Sequence, residues 1–163
     1  MDPLFTTQAG LRRTRERLAQ ARAAYDAVTA SNPEANEAGD SSVWHDNFAY
    51  EENQRQMHQL ARRVRDLGQV LARMTVVGVE AEPAVVGVGC GVEVLESSTG
   101  RTLRYVIAGY DDGDLRDGRV AYNSPLGEAL LGAAPGDVRE VRCAGGEREV
   151  EVLAIRRADG EHA

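Results

Sequence analysis

The feature that most constrains the fold is a pair of heptad patterns, in residues 7–30 and 47–74, separated by a short polar stretch. In the first segment two rows of positions recur every seven residues: Leu4, Leu11, Leu18 and Tyr25, and then Thr7, Thr14, Ala21 and Val28. In the second segment apolar residues alternate spacings of three and four: Met57, Leu60, Val64, Leu67, Leu71 and Met74. Such spacing is typical of helices that bury one narrow stripe against a partner helix. We therefore predict an antiparallel coiled-coil hairpin over residues 1–75, with an intermolecular coiled coil or an ordinary bundle as the alternatives.

The stretch that joins the two segments, residues 31–47, reads SNPEANEAGDSSVWHDN and is predicted to form the tip of the hairpin. Pro33 and Gly39 interrupt helical structure, and the charged residues between Arg22 and Arg55 are all acidic. Carboxylates are natural ligands of Mg²⁺, but a few of them on a loop make a poor site alone. The tip makes chemical sense if it completes a metal site that belongs to another molecule. The alternative is a solvated loop whose acids cap a helix.

The sequence leaves open the roles of three further features of the predicted hairpin: its arginines, Trp44 and His45. Arginines crowd both helices: Arg12, Arg13, Arg15, Arg17, Arg22, Arg55, Arg62, Arg63, Arg65 and Arg73. They could guide a phosphate backbone, face an acidic protein channel, or form a solvated surface. Trp44 could anchor a partner or plug the end of the hairpin. His45 lies beside Asp46, but with no second His and no Cys cluster nearby we expect no zinc site.

After Met74 the heptad spacing gives way to alternation, which indicates strands at 76–80, 84–96, 101–109, 137–143 and 147–155. Gly87, Gly89 and Gly91 suggest a bulge or bend. Residues 124–132, SPLGEALLG, are predicted to form a short helix, with Ser124 as N-cap and Pro125 at its first position. Residues 76–163 are therefore predicted to form a twisted antiparallel sheet with one helix, which makes the whole chain α+β.

Composition and the absence of known catalytic motifs argue against several classes of function. There is no apolar run long enough to span a membrane and no secretory signal in MDPLFTTQAGL, so we expect a cytoplasmic protein with two reduced thiols, Cys90 and Cys143. No phosphate loop, GxSxG, CxxC or HExxH motif is present. We therefore expect neither an active site nor a cofactor of the protein's own. The net charge of −7 argues against simple coating of nucleic acid.

Two sets of motifs resemble the Gre transcript-cleavage factors of bacteria. The tip GDSSVWHDNFAYEENQRQ is similar to the family pattern GDLSENAEYxxAKExQ, with residues 46–50, DNFAY, in place of ENAEY. In the second half, YVIAG at 105–109 is similar to YxIVG, and SPLGEALLG is similar to SPLAxALLG, followed by GD at 136–137. The resemblance covers essentially the whole chain.

The resemblance implies an FKBP-like fold for residues 76–163 and a role as a monomer that binds RNA polymerase. This domain would dock at the rim of the polymerase secondary channel, and we assign the docking to Ser124, Pro125, Leu126 and Leu130. The hairpin would enter the channel, with its basic stem, in particular Arg12, Arg13 and Arg55, along the way, and contact with backtracked RNA is expected there. In cleaving members two tip acids help to hold a catalytic Mg²⁺ of the polymerase. The matching acids are Asp40 and Asp46, supported by Glu37, Trp44 and His45.

The tip departs from the family pattern in one respect that bears on function. Five residues, 41–45, stand between Asp40 and Asp46, where the pattern has two between its paired acids. Small errors of geometry are costly in catalysis, so we favour regulation, often inhibitory, over stimulation of cleavage. Two alternatives are a peptidyl-prolyl isomerase, which would need an aromatic-lined pocket, and a coiled-coil scaffold or holdase.

Overall fold

The computed structural model describes residues 2–31 and 47–158. Its helices are α1 (Gln8–Ala30), α2 (Asn47–Arg73) and α3 (Pro125–Leu130). Its strands are β1 (Leu4–Thr6), β2 (Met74–Val76), β3 (Cys90–Glu96), β4 (Arg101–Ala108), β5 (Arg119–Ala121), β6 (Val138–Cys143) and β7 (Gly146–Arg157). The predicted α+β fold is confirmed: two N-terminal helices precede a curled sheet that carries one short helix. No helix in the described part of the chain is long and apolar enough to cross a membrane.

The helical hairpin buries the small residues of its first helix. Residues 14–72 form one compact unit, in which Thr14 and Ala21 of α1 are buried, whereas Leu18 is half-buried. Thr7 caps α1, since its Oγ1 accepts a hydrogen bond from the Gly10 N–H at 3.0 Å. The row that contains Thr7, Thr14 and Ala21 is thus more deeply buried than the row that contains Leu11 and Leu18.

The second compact unit contains residues 1–13 and 73–163. In it β1 and β2 pair in parallel, with Leu4 opposite Met74, so the start of α1 and the end of α2 lie side by side. The hairpin therefore begins and ends at a two-stranded ribbon. Because β1 and the first turns of α1 belong to the unit of the sheet, the domain boundary near residue 75 stays a prediction.

The main sheet has the strand order β5-β4-β3-β7-β6. Strands β3, β4, β6 and β7 pair antiparallel as predicted, but β5 runs parallel to β4, with Ile107 opposite Val120. The short β5, which was not predicted, thus adds a parallel edge to the predicted antiparallel sheet. The core lies between the sheet and α3, where Val94, Ile107, Leu130 and Val152 are fully buried.

The segment before β3 differs from the predicted strands at 76–80 and 84–96. Strand β2 ends at Val76 and β3 begins only at Cys90. The intervening chain bonds elsewhere: Val86 donates to the Ala133 carbonyl, and Gly132 donates to the Val86 carbonyl, both at 2.9 Å. Gly89 has a φ of 89°, which bends the chain as the glycines suggested, whereas the register shift of β3 against β7 falls later, between Glu93 and Val94.

Cys90 is buried and unpaired, and burial raises the pKa of its thiol, which opposes thiolate reactivity.

Gly109 is required by the close approach of β1 to the chain after β4. A Cβ at this position would lie 2.8 Å from the Thr6 Cα and would also overlap the Thr6 Oγ1. We expect Gly109→Ala to lower the free energy of unfolding by about 1–3 kcal/mol, because the overlap involves backbone that cannot rotate away.

Gly68 offers the matched control, since a Cβ there would meet nothing within 4 Å. In the middle of α2, Gly68→Ala should raise stability by about 0.5–1 kcal/mol. Denaturant unfolding of the two variants measures both effects. Equal stability of Gly109→Ala and the wild type would show that β1 is not held against this loop.

Candidate functional site

The tip residues predicted to act at a metal, Asp40 and Asp46, lie outside the described residues, as do Glu37, Trp44 and His45. Their roles stay predictions. Among the described residues no cluster of three or more metal-ligating side chains occurs.

The basic stem residues have different surroundings. Arg12 and Arg55 are exposed, and Arg55 pairs with Glu52 at 3.0 Å on the surface of α2. Arg13 instead forms a forked ion pair with Asp112, with its Nε 3.0 Å from each carboxylate oxygen. The Asp112 side chain is only 5% exposed. Arg13 therefore ties the first turns of α1 to the loop after β4, and its place in a partner-facing stem stays a prediction.

The predicted docking segment begins with a well-formed helix cap. The Ser124 Oγ accepts from the Gly127 N–H at 3.2 Å and donates to the Ala121 carbonyl at 2.7 Å. Pro125 is exposed and Leu126 half-buried, so both are available to a partner. Leu130 is wholly buried in the core. Leu130 therefore supports α3 from within and cannot be a contact residue.

A cleft of about 490 Å³ opens beside this segment. Its apolar walls come from four strands and α3: Leu103, Tyr105, Val120, Leu126, Val141 and Val150. The cleft also includes Ser124 and Pro125 of the predicted docking segment. Apolar concavities of this size are the usual form of binding sites, so the cleft is the strongest candidate site in the described part of the chain.

Three charged residues also line the cleft: Glu96, Arg119 and Arg148. Glu96, with a side chain 10% exposed, accepts from the Thr99 hydroxyl at 2.6 Å and pairs with Arg148 at 3.2 Å. Arg119 pairs with Asp117 at 2.9 Å, and its buried Nε has no hydrogen-bond partner among the described residues. An occupant of the cleft therefore needs an apolar body.

The environment of Tyr105 favours its neutral hydroxyl. Burial raises the pKa of this phenol above its ordinary value of 10.0, the nearby Glu96 charge raises it further, and Arg148 lowers it. The folded state thus holds the Tyr105 proton more tightly than the unfolded state does. Its contribution to stability is complete below pH 10.0 and is lost as the pH rises through the raised pKa of the folded protein.

We expect the free energy of unfolding of the wild type to fall, relative to that of Tyr105→Phe, once the pH exceeds about 10. An ultraviolet difference titration of the two proteins isolates the ionisation of Tyr105. In Glu96→Gln the pKa of Tyr105 should move down but stay raised, because burial is the larger cause. A difference spectrum that titrates at or below the ordinary value would show that the phenol faces water.

Sequence reasoning found one wall of the cleft and missed the rest. Ser124, Pro125 and Leu126 were identified from their motif, whereas Glu96, Arg119 and Arg148 were not singled out. The available signal was the alternation of Leu103 with Tyr105, which places both on one face of β4.

Both halves of the chain match known protein families. Residues 4–76 match the model of the transcription elongation factor N-terminal domain, and residues 81–157 match that of the GreA/GreB C-terminal domain. Transcription elongation factor GreA of Pseudomonas aeruginosa is 34% identical over 125 residues, covering 76% of this chain and 77% of that protein. GreA of Thioalkalivibrio sulfidiphilus is 30% identical over 131 residues, covering 79% and 81%. Among solved structures, GreA factor homolog 1 (Gfh1) of Thermus thermophilus is 26% identical, covering 94% of this chain and 99% of that one, at a TM-score of 0.43.

Proposed function

The chain belongs to the GreA/GreB family of transcription elongation factors, and from this membership we propose that it binds bacterial RNA polymerase and inserts its helical hairpin into the secondary channel. The observation that carries the proposal is the match of both family models in order, on residues 4–76 and 81–157, which includes the hairpin and the sheet. On this proposal the protein acts as a cytoplasmic monomer and has no reaction of its own.

The cleft beside α3 supports the docking half of the proposal. Binding energy between proteins concentrates where apolar side chains enter desolvated pockets, and the cleft offers such a pocket with a few polar groups at its walls. We propose that an apolar side chain of the polymerase enters it beside Leu126.

The tip supports an effect on the polymerase active centre. We propose that Asp40 and Asp46 approach the Mg²⁺ of the polymerase, because carboxylates are hard oxygen ligands. The five residues between these acids exceed the two of the family pattern, so we propose that the tip blocks the channel and does not accelerate cleavage of backtracked RNA.

A stalled, backtracked transcription complex tests this role. We expect the wild-type protein to reduce RNA synthesis without faster transcript cleavage, and we expect the charge-reversed variant Asp40→Arg/Asp46→Arg to lose most of that effect. If the wild type accelerates cleavage and Asp40→Ala/Asp46→Ala leaves it at the basal rate, the protein stimulates cleavage and the blocking role is rejected. Absence of any competition for the secondary channel in a polymerase-binding assay would reject both, and an unchanged effect of the charge reversal would favour a scaffold.

A further inference from the structure

Three of the eight aromatic side chains of the protein lie close together in the unit of the sheet. The ring of Tyr122 lies 6.2 Å from that of Phe5 and 6.5 Å from that of Tyr110, both at a tilt of 56°. We call Phe5, Tyr110 and Tyr122 the aromatic platform. Phe5 is 40% exposed, so the platform does not exist merely to fill the core.

Hydrogen bonds from separate parts of the chain hold the platform together. The Tyr110 N–H donates to the Phe5 carbonyl at 2.9 Å, and the Phe5 N–H lies 3.4 Å from the Tyr122 hydroxyl. The Tyr122 N–H donates to the Ala108 carbonyl at 3.1 Å. The three rings are thus preorganised, and a partner that contacts them pays little entropy to order them.

An acidic residue in an unusual conformation borders the platform. Asp111, which directly follows Tyr110, has a φ of 51° and is the one non-glycine residue in the described ranges with positive φ. Its N–H donates to the Asn123 Oδ1 at 3.1 Å, and Asn123 directly follows Tyr122. The Asp111 residue is exposed. A left-handed position is easiest for glycine, and aspartate is among the few other residues that tolerate it.

We propose that the aromatic platform and Asp111 bind the cationic side chain of an arginine or lysine of the polymerase, an inference that rests on the proposed function. Aromatic faces are electron-rich and attract guanidinium and ammonium groups, and an adjacent carboxylate adds charge attraction. The net charge of −7 also favours a basic partner surface. Because Tyr122 and Asn123 directly precede Ser124, the platform extends the docking surface of α3 onto residues from the N-terminus of the chain.

Paired substitutions at the tyrosines test the proposal against polymerase affinity. Tyr110→Leu and Tyr122→Leu keep apolar volume but remove the electron-rich face, and each should weaken binding about fivefold. Tyr110→Phe keeps the electron-rich face and should lose much less affinity than Tyr110→Leu. Asp111→Asn keeps a residue that tolerates positive φ, and it should weaken binding at low salt more than at high salt.

The outcomes separate this inference from the proposed function. If the wild type binds polymerase and the leucine variants, with unchanged thermal unfolding, bind equally well, the platform is not a contact and the inference is overturned. If Tyr110→Leu and Tyr110→Phe bind alike and Asp111→Asn has no effect, the partner group is apolar and the cation site is overturned. If the wild type itself does not bind polymerase, the proposed function has failed first.

Discussion

Leu126→Glu is expected to weaken the binding of this protein to RNA polymerase by about 100-fold or more. Leu126 lies half-buried on α3 and lines the cleft in which we place an apolar side chain of the polymerase. A carboxylate at that position would have to lose its hydration when the complex forms, which costs several kcal/mol without a partner charge. A fluorescence titration of labelled protein with polymerase measures the change in affinity.

Leu153→Glu is the matched control for this variant. Leu153 is 40% exposed on β7 and does not line the cleft, so the same change of residue should leave binding within about twofold. Both variants should retain cooperative unfolding. Equal affinities of the two folded variants would remove the cleft from the docking surface.

Arg13→Met is expected to lower the free energy of unfolding by about 3 kcal/mol, the typical cost of leaving one charge of a buried pair without its partner. The charge left behind is that of Asp112, whose side chain is 5% exposed. Exchanging both residues, as Arg13→Met/Asp112→Asn, removes that uncompensated charge. The double variant should therefore be more stable than Arg13→Met alone, and denaturant unfolding gives the order directly.

An exposed pair provides the comparison for this stability effect. Arg55 and Glu52 also lie 3.0 Å apart, but their side chains are 66% and 55% exposed. Because water screens such a pair, Arg55→Met should change stability by less than about 0.5 kcal/mol. A loss as small in Arg13→Met would show that Asp112 does not depend on Arg13.

The regular elements were predictable because their patterns are long. The heptads identified α1 and α2 to within one residue, and strict alternation located β4, β6 and β7. Strands β1 and β5 were missed because three residues are too few to show alternation. Each exists only through its partner, β2 and β4 respectively, and such pairing over distance leaves no local signal.

The residues of the candidate site could be predicted only where they belong to a recognisable sequence motif. The capped helix start made Ser124 and Pro125 visible, whereas Leu130 in the same motif proved to be a core residue, because neither motif nor spacing reports burial. Arg13 was indistinguishable in sequence from its exposed neighbour Arg12. Its partner, Asp112, lies 99 residues away, so only the fold reveals the pair.

On the proposed function, the tip of the hairpin reaches the polymerase active centre through the secondary channel. A photo-crosslinking amino acid in place of Trp44 tests it directly in a complex with transcribing polymerase. We predict crosslinks to the catalytic subunits beside the active-centre Mg²⁺. Crosslinks confined to the outer surface of a polymerase that still binds the protein would contradict the account.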